Sequence, residues 1–405
     1  RSYDVEYPHF VNYIQAVVEN EFGSPEEIFR RGMRITTTLN PAIQDLTESA
    51  LRVAVSQLAP NAVNTGAILV TDPRSGAILA MVGSPDYTND SVAGQVNNVY
   101  TWQQPGSTIK PILYTAALEG INRTGALEYY TPATVLWDVP VQYETIPPYS
   151  PVNFDGIFRG PMALRYALQG SINVPAVKTL EWMGLDEFRE TATRMGVRFL
   201  QEAVFGLPTA LGATEVRLID MVQAYGTLAD GGERVPIYGI QSIRDAEGVD
   251  ITPATLRGTA EQVITPQIAY LMNSMLTDND ARAPIFGVNN GLWFPAYPGR
   301  VAAKTGTTDN RRDLWTIGYS NNFVVGVWLG RHDDGATQNT TQGSAIPVWN
   351  AVMSALLQAA PPAGWNAPDA AGLRGKCAGR LPQLRGWTSA TGTRLLYVNP
   401  PRTGL

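Results

Sequence analysis

Ser107 and Lys110 place a hydroxyl and an amine at i and i+3 in the run Pro105-Gly106-Ser107-Thr108-Ile109-Lys110-Pro111. A serine hydroxyl is a weak nucleophile until a neighbouring base takes its proton, and Lys110 is the base this run offers. A free lysine titrates at about 10.4, so acting as a base at neutral pH requires a downward shift of roughly 3 units, on the order of 4 kcal/mol. Burial, the positive end of a helix and a second nearby cation all push that way. Two later runs also carry polar chemistry, Ser171-Ile172-Asn173 and Lys304-Thr305-Gly306-Thr307. Each run alone has an ordinary structural explanation: a lysine in an exposed first helical turn, a serine and asparagine capping a helix, a strand end with a turn glycine. Ser-x-x-Lys, then Ser-x-Asn, then Lys-Thr-Gly, in that order and in compatible local structure, is a sharper signal than any of them.

The elements around these residues must position them. Ile112-Leu113-Tyr114-Thr115-Ala116-Ala117-Leu118 repeats apolar residues at helical spacing, and Pro111 is tolerated only in a first turn, so Ser107 is expected at a helix N-terminus. Ser24-Pro25-Glu26-Glu27 and Asn40-Pro41 read as two earlier helix starts, the second helix presenting Ile43, Leu46, Ala50, Val53, Ala54 and Leu58. The character of the chain changes at Asn61. Ala67 to Asp72 and Ala77 to Val82 read as a strand hairpin about Pro73-Arg74-Ser75-Gly76. An aromatic, proline-rich excursion runs from Tyr129 to Gly156, either a surface wrap or a substrate-lining loop. Arg159 to Leu168 reads as a helix stopping near Gly170, Val174 to Met183 continues helically, and a mostly helical stretch through Ile219 to Tyr225 ends at Asp230-Gly231-Gly232. Val301 to Thr308 reads as an edge strand with Thr305 and Thr307 on one face. A hairpin follows about Ser320-Asn321-Asn322, and a helix begins at Pro347; after Pro361 the composition turns to Gly, Pro and Ala.

Composition narrows the classes. With 405 residues and 44% hydrophobic content the chain can build a sizeable core in two or three structural units. A net charge of -6 and a pI near 5.1 argue against a nucleic-acid partner. No run approaches the ~18 apolar residues of a membrane helix. Cys377 is the single cysteine, which excludes an internal disulfide and argues against a thiolate metal site; no metal or cofactor is expected. The two histidines, His9 and His332, are far apart in sequence and near none of the three motifs, which disfavours a Ser-His-Asp triad.

The three motifs and several flanking runs resemble the transpeptidase region of bifunctional (class A) penicillin-binding proteins. The runs are Gln104 to Pro111, Pro151-Val152-Asn153-Phe154-Asp155-Gly156, Phe158 to Pro161, Asn173 to Ala176, Ala210 to Ala213, Ala302 to Thr308 and Val325 to Trp328, so that the resemblance spans about residues 1 to 358. It implies an α+β fold, a mainly antiparallel sheet sandwiched by helices, like that of the serine β-lactamases and D,D-peptidases. It also implies that Ser107 is the acylated nucleophile, Lys110 its base, Ser171 a proton shuttle, Asn173 its orienter and Lys304 a source of positive field. Thr305, Gly306 and Thr307 would bind substrate, with the backbone N–H groups of Ser107 and Thr307 as oxyanion hole. The implied substrates are peptidoglycan stem peptides, with β-lactam antibiotics as inhibitors. A D-Ala-D-Ala carboxypeptidase and a non-catalytic β-lactam sensor or scaffold are the alternatives. The Glu-x-x-Leu-Asn of class A β-lactamases has no counterpart, because Leu39-Asn40 is preceded at that spacing by Thr36. By the same resemblance, residues 1–60 are expected to be a linker after a glycosyltransferase domain absent here, 61–360 the transpeptidase domain, and 361–405 a tail. A membrane anchor outside these residues, an extracytoplasmic location and cell-wall synthesis partners complete the expectation.

Overall fold

A five-stranded antiparallel sheet divides the chain's apolar residues into two layers. The computed structural model describes residues 5–368 except 25–27, 29, 122–123, 309, 339 and 342, together with the short strands Trp387–Thr388 and Arg394–Leu395. The first part of the chain contains α1 (Pro8–Phe22), β1 (Arg34–Thr37), α2 (Pro41–Leu58), β2 (Thr65–Thr71) and β3 (Ile78–Val82). A 3-10 turn, Gly106–Ile109, runs into α3 (Lys110–Glu119). Then come β4 (Val135–Asp138), β5 (Gly160–Ala163), α4 (Leu164–Gln169), α5 (Asn173–Met183), α6 (Leu185–Arg194) and α7 (Leu218–Ala229). The last part holds β6 (Glu233–Arg234), β7 (Ile240–Arg244), β8 (Glu261–Gln262), α8 (Pro266–Leu276), α9 (Asn279–Phe286), β9 (Ala302–Thr307), β10 (Leu314–Tyr319), β11 (Val324–Gly330) and α10 (Ile346–Ala359).

The sheet order is β3-β2-β11-β10-β9, with every pairing antiparallel. Strand alternation sends Ala67 and Leu69 of β2 into one layer and Ile68 and Val70 into the other. The first layer gathers apolar side chains from α1, α3, α5, α7 and α8, and the second those from α2 and α10. The sheet is therefore sandwiched by helices, as expected. Within the first layer, α3 is buried from Lys110 to Leu118, on all sides. A helix apolar all round belongs in a core, and Lys110 at its first position is buried with it.

Two local expectations are corrected. In α2 the buried face is Gln44, Thr47, Leu51 and Ala54, while Val53 is exposed. The face is turned toward Gln44 because its amide accepts from Met81 N (2.8 Å) and donates to Met81 O (3.1 Å), satisfying backbone groups that edge strand β3 would otherwise leave unpaired. The helix read from Arg159 begins only at Leu164. Gly160–Ala163 instead forms a strand paired with Val135–Asp138, so a partner distant in sequence overrides the local helical pattern. The helix start at Ser24-Pro25-Glu26-Glu27 falls on residues 25–27, outside the described residues. Of the stretch after Pro361, Trp365 is held by a hydrogen bond from its Nε1 to Gly299 O (2.8 Å) and an edge contact with Tyr319; residues 369–386, 389–393 and 396–405 lie outside the described residues.

Candidate active site

Strand β9 is an edge of the sheet, and the turn that carries Ser107 packs against one of its faces. The approach is backbone to backbone. A Cβ on Gly306 would stand 2.3 Å from Pro105 O, and one on Gly106 would stand 2.7 Å from Thr307 O. Both positions therefore demand glycine, Gly106 also for its φ of 52°. Two buried side chains fix the turn from behind: Tyr225 of α7 donates its hydroxyl to Thr108 O (2.8 Å), and Trp315 of β10 donates Nε1 to Gln104 O (2.8 Å). Ser107 itself is partly accessible, and Lys110, one turn further on, has no exposed surface.

The turn between α4 and α5 supplies the second group. Lys110 Nζ donates to Ser171 O (2.7 Å) and to Asn173 Oδ1 (2.7 Å). Lys304 Nζ donates to Ser171 Oγ (2.8 Å) and to Thr305 O (2.9 Å). Ser171 thus stands between two lysines, its carbonyl toward one and its hydroxyl toward the other. Its backbone is left-handed, φ 58°, a conformation that costs a non-glycine residue on the order of 1 kcal/mol or more and that clusters at functional sites. Burial, then the charge of Lys110, then that of Arg282 hold Lys304 well below the usual lysine range. A second lysine amine thus lies near Lys110, on the other side of Ser171.

Ser171 and Asn173 do not cap α5. That task falls to Asn153, whose Oδ1 accepts from Asn173 N (2.9 Å) and Val174 N (3.2 Å). Asn153 is anchored in turn by donating Nδ2 to Asp138 Oδ1 (2.7 Å) and Ile157 O (2.8 Å), while Asn173 Nδ2 reaches Val152 O (2.9 Å). The cap comes from outside the helix, so the side chains at positions 171 and 173 are left to face the lysines. The role of Asn153 was missed in the sequence. Its run, Pro151 to Gly156, was visible as part of the resemblance, but nothing local says that an asparagine will cap a helix some twenty residues on.

The loop around Asn153 also lines a cavity of about 840 Å³ that includes Ser171, together with Phe154, Ile157, Arg159, Phe286 and Asn350. Elsewhere in the same excursion Tyr143 and Tyr149 stack on each other. On β9, Thr305 is buried and Thr307 partly accessible. Thr307 Oγ1 is buried without a hydrogen-bond partner among the described residues. All eight candidates thus lie on three segments that meet: the turn running into Lys110 of α3, the α4–α5 turn running into Asn173 of α5, and β9.

The family described as the penicillin-binding protein transpeptidase domain matches residues 66–354. The chain belongs to this family. The transpeptidase domain is 30% identical over 315 residues to penicillin-binding protein 1A of Neisseria lactamica, a match covering 75% of this chain and 37% of the relative. It is 29% identical over 380 residues to penicillin-binding protein 2D of Bacillus subtilis, covering 89% of this chain and 50% of the relative. The chain therefore spans half or less of the length of these relatives. Among solved structures, penicillin-binding protein 1A from Haemophilus influenzae superposes with a TM-score of 0.77 at 19% identity, covering all of this chain and 78% of that one. PonA1 from Mycobacterium tuberculosis in complex with penicillin V gives 0.73 at 22% identity, covering 89% and 95%. At these identities the superpositions establish the fold, which is the expected one.

Proposed function

We propose that this chain is a D,D-transpeptidase that cross-links peptidoglycan stem peptides through an acyl-serine intermediate and is inhibited by β-lactams. Ser107 Oγ attacks the carbonyl of the penultimate D-Ala and passes its proton to Lys110. The observation that carries this is the hydrogen bonding of Lys110. The buried amine donates to Ser171 O (2.7 Å) and Asn173 Oδ1 (2.7 Å), which fixes the nitrogen of the base one turn from Ser107 and between the first two motifs. The Ser171 hydroxyl accepts from Lys304, which leaves its own proton to give to the departing D-Ala amine. Lys304 supplies positive field where the tetrahedral oxygen and the terminal carboxylate gather negative charge. Thr305, Gly306 and Thr307 bind the peptide along β9. Thr307, whose hydroxyl has no hydrogen-bond partner among the described residues, faces the carboxylate, and the N–H groups of Ser107 and Thr307 form the oxyanion hole. An amine of a second stem then attacks the ester and regenerates Ser107. On this reading the reaction takes place in the cell envelope, and residues 1–60 link this domain to others.

Incubation with a fluorescent penicillin, digestion and mass spectrometry locate the label. A stable adduct on the peptide containing Ser107, absent in Ser107→Ala, is expected. No adduct on folded protein overturns the assignment. With a D-Ala-D-Ala peptide and an added amine acceptor, a transfer product is expected beside released D-Ala, and hydrolysis alone would instead indicate a carboxypeptidase.

A further inference from the structure

A third buried cation lies behind the two lysines, and nothing in the acyl-serine scheme uses it. Arg282 of α9 is 1% exposed. Its Nε donates to Gln169 Oε1 (3.2 Å), and its Nη2 donates to Leu276 O (2.6 Å) and Ala303 O (3.2 Å). Nη1 is buried without a partner among the described residues. Gln169 ends α4, two residues before Ser171, and its amide is itself held by Met275 O. Ala303 precedes Lys304 on β9. One guanidinium thus ties together the two segments that carry the Ser171–Lys304 hydrogen bond. Burying an arginine is costly unless its donors are used, and three oxygens from three elements use most of them.

The charged groups around it are few. Lys304 is faced by Lys110 from α3 and by Arg282 from α9. The charge of Asp278, at the cap of α9, partly offsets Arg282, but Asp278 is shared with Arg165 of α4 at 3.1 Å. Burial lowers the affinity of Arg282 for its proton only to about 10, so it remains charged at neutral pH.

We propose that Arg282 is a positioning residue of the transpeptidase site: its planar fork sets Ser171 against Lys304, and its fixed charge keeps the paired lysines Lys304 and Lys110 from both holding a proton. The proposal rests on the acyl-serine reading, and the wild-type protein separates the two. If the wild type is not acylated, it is that reading that fails.

The test is the rate of acylation by a fluorescent penicillin from pH 5 to 10 for the wild type, Arg282→Met and Gln169→Ala, with Tm recorded for each. Loss of a nearby positive charge makes a lysine easier to protonate, so the acidic limb of the profile in Arg282→Met moves up by about one pH unit, with roughly a tenfold lower rate at pH 7. Gln169→Ala keeps the Arg282 charge but frees the guanidinium from the segment that carries Ser171. Its limb stays in place while the rate falls several-fold at every pH. A lowered Tm alone would not move a limb. An unmoved limb in folded Arg282→Met, or equal limb shifts in both variants, overturns the proposal. Should Arg282→Met not fold, Gln169→Ala decides: a wild-type rate or a raised limb overturns the proposal, and an unmoved limb with a reduced rate supports it.

Discussion

Among the described residues, two buried places pair a serine hydroxyl with a basic nitrogen at 2.8 Å: Ser171 with Lys304, and Ser84 with His9. The geometries are alike, but the protons are not. Ser84 donates its hydroxyl to Gly94 O (2.6 Å), so His9 Nε2 must be the donor in their bond, and both protons are committed. Burial pushes the imidazole down to about 4, against a smaller opposing effect of Gly94, and Tyr87 meets its ring edge-on at 5.0 Å. His9 is therefore a neutral fastener between α1 and the loop after β3. Ser171 accepts its bond and keeps its proton, in a backbone conformation that a mere fastener would not require. On the acyl-serine reading, what sets the Ser171 pair apart from the Ser84 pair is where the remaining proton can go and how many like charges surround it.

The sharpest way to break this comparison is to remove the base from each pair. Lys304→Ala leaves the Ser171 hydroxyl without its donor and takes positive charge from the site. Acylation by fluorescent penicillin is expected to fall by about 10² to 10⁴, the range for a positioned proton-transfer group. Stopped-flow or gel-based acylation rates measure this, and a fall below threefold would mean that the lysine only fills space.

Asn153→Ala comes next. It removes the cap from Asn173 N and Val174 N and takes one donor from Asp138, which is fully buried and retains Arg159 N (2.9 Å). A lost cap with a partly unsatisfied carboxylate costs about 2 to 4 kcal/mol. The acylation rate of the folded fraction should fall about tenfold as Asn173 loosens from Lys110. Urea unfolding and acylation rates report the two effects separately; lost stability with an unchanged rate would reduce Asn153 to scaffolding.

That residue also marks the limit of what the sequence discloses. Ser107, Lys110, Ser171, Asn173 and Lys304 were legible because their spacing is local and because the strand and helix patterns around them are strong. The sheet was legible for a related reason: Ala67 to Val82 and Leu314 to Leu329 are hairpins of short apolar runs with explicit turns. Asn153, Gln44 and Arg282 were not, because each is a polar residue buried by partners far along the chain. Gln44 meets Met81, 37 residues away, and Arg282 meets Gln169, 113 residues away. The strand Gly160–Ala163 was misread for a related reason, since its pairing with Val135–Asp138 cannot be seen in a window of ten residues. Periodicity reports which face is apolar; it does not report which polar group will be satisfied inside.

The smallest expected effect on chemistry belongs to the other pair, and it gives the comparison its control. His9→Gln removes the titrating ring while leaving a side chain that can donate to Ser84. In the wild type the imidazole binds a proton at about 4 when folded and near 6.5 when unfolded, so between these values the unfolded state holds more protons. The stability contributed by the neutral, buried ring is thus complete above about pH 6.5 and is lost as the pH falls toward 4, a loss of about 3 kcal/mol at most. Urea unfolding at pH 7, 5.5 and 4.5 should show a steeper decline for the wild type than for His9→Gln, while acylation per folded molecule at pH 7 stays the same in both. A parallel decline in the two proteins would show that His9 is not the group being titrated. A lower acylation rate in His9→Gln at equal folded fraction would show that docking of α1 reaches the active site, and the two serine pairs would then be coupled rather than merely alike.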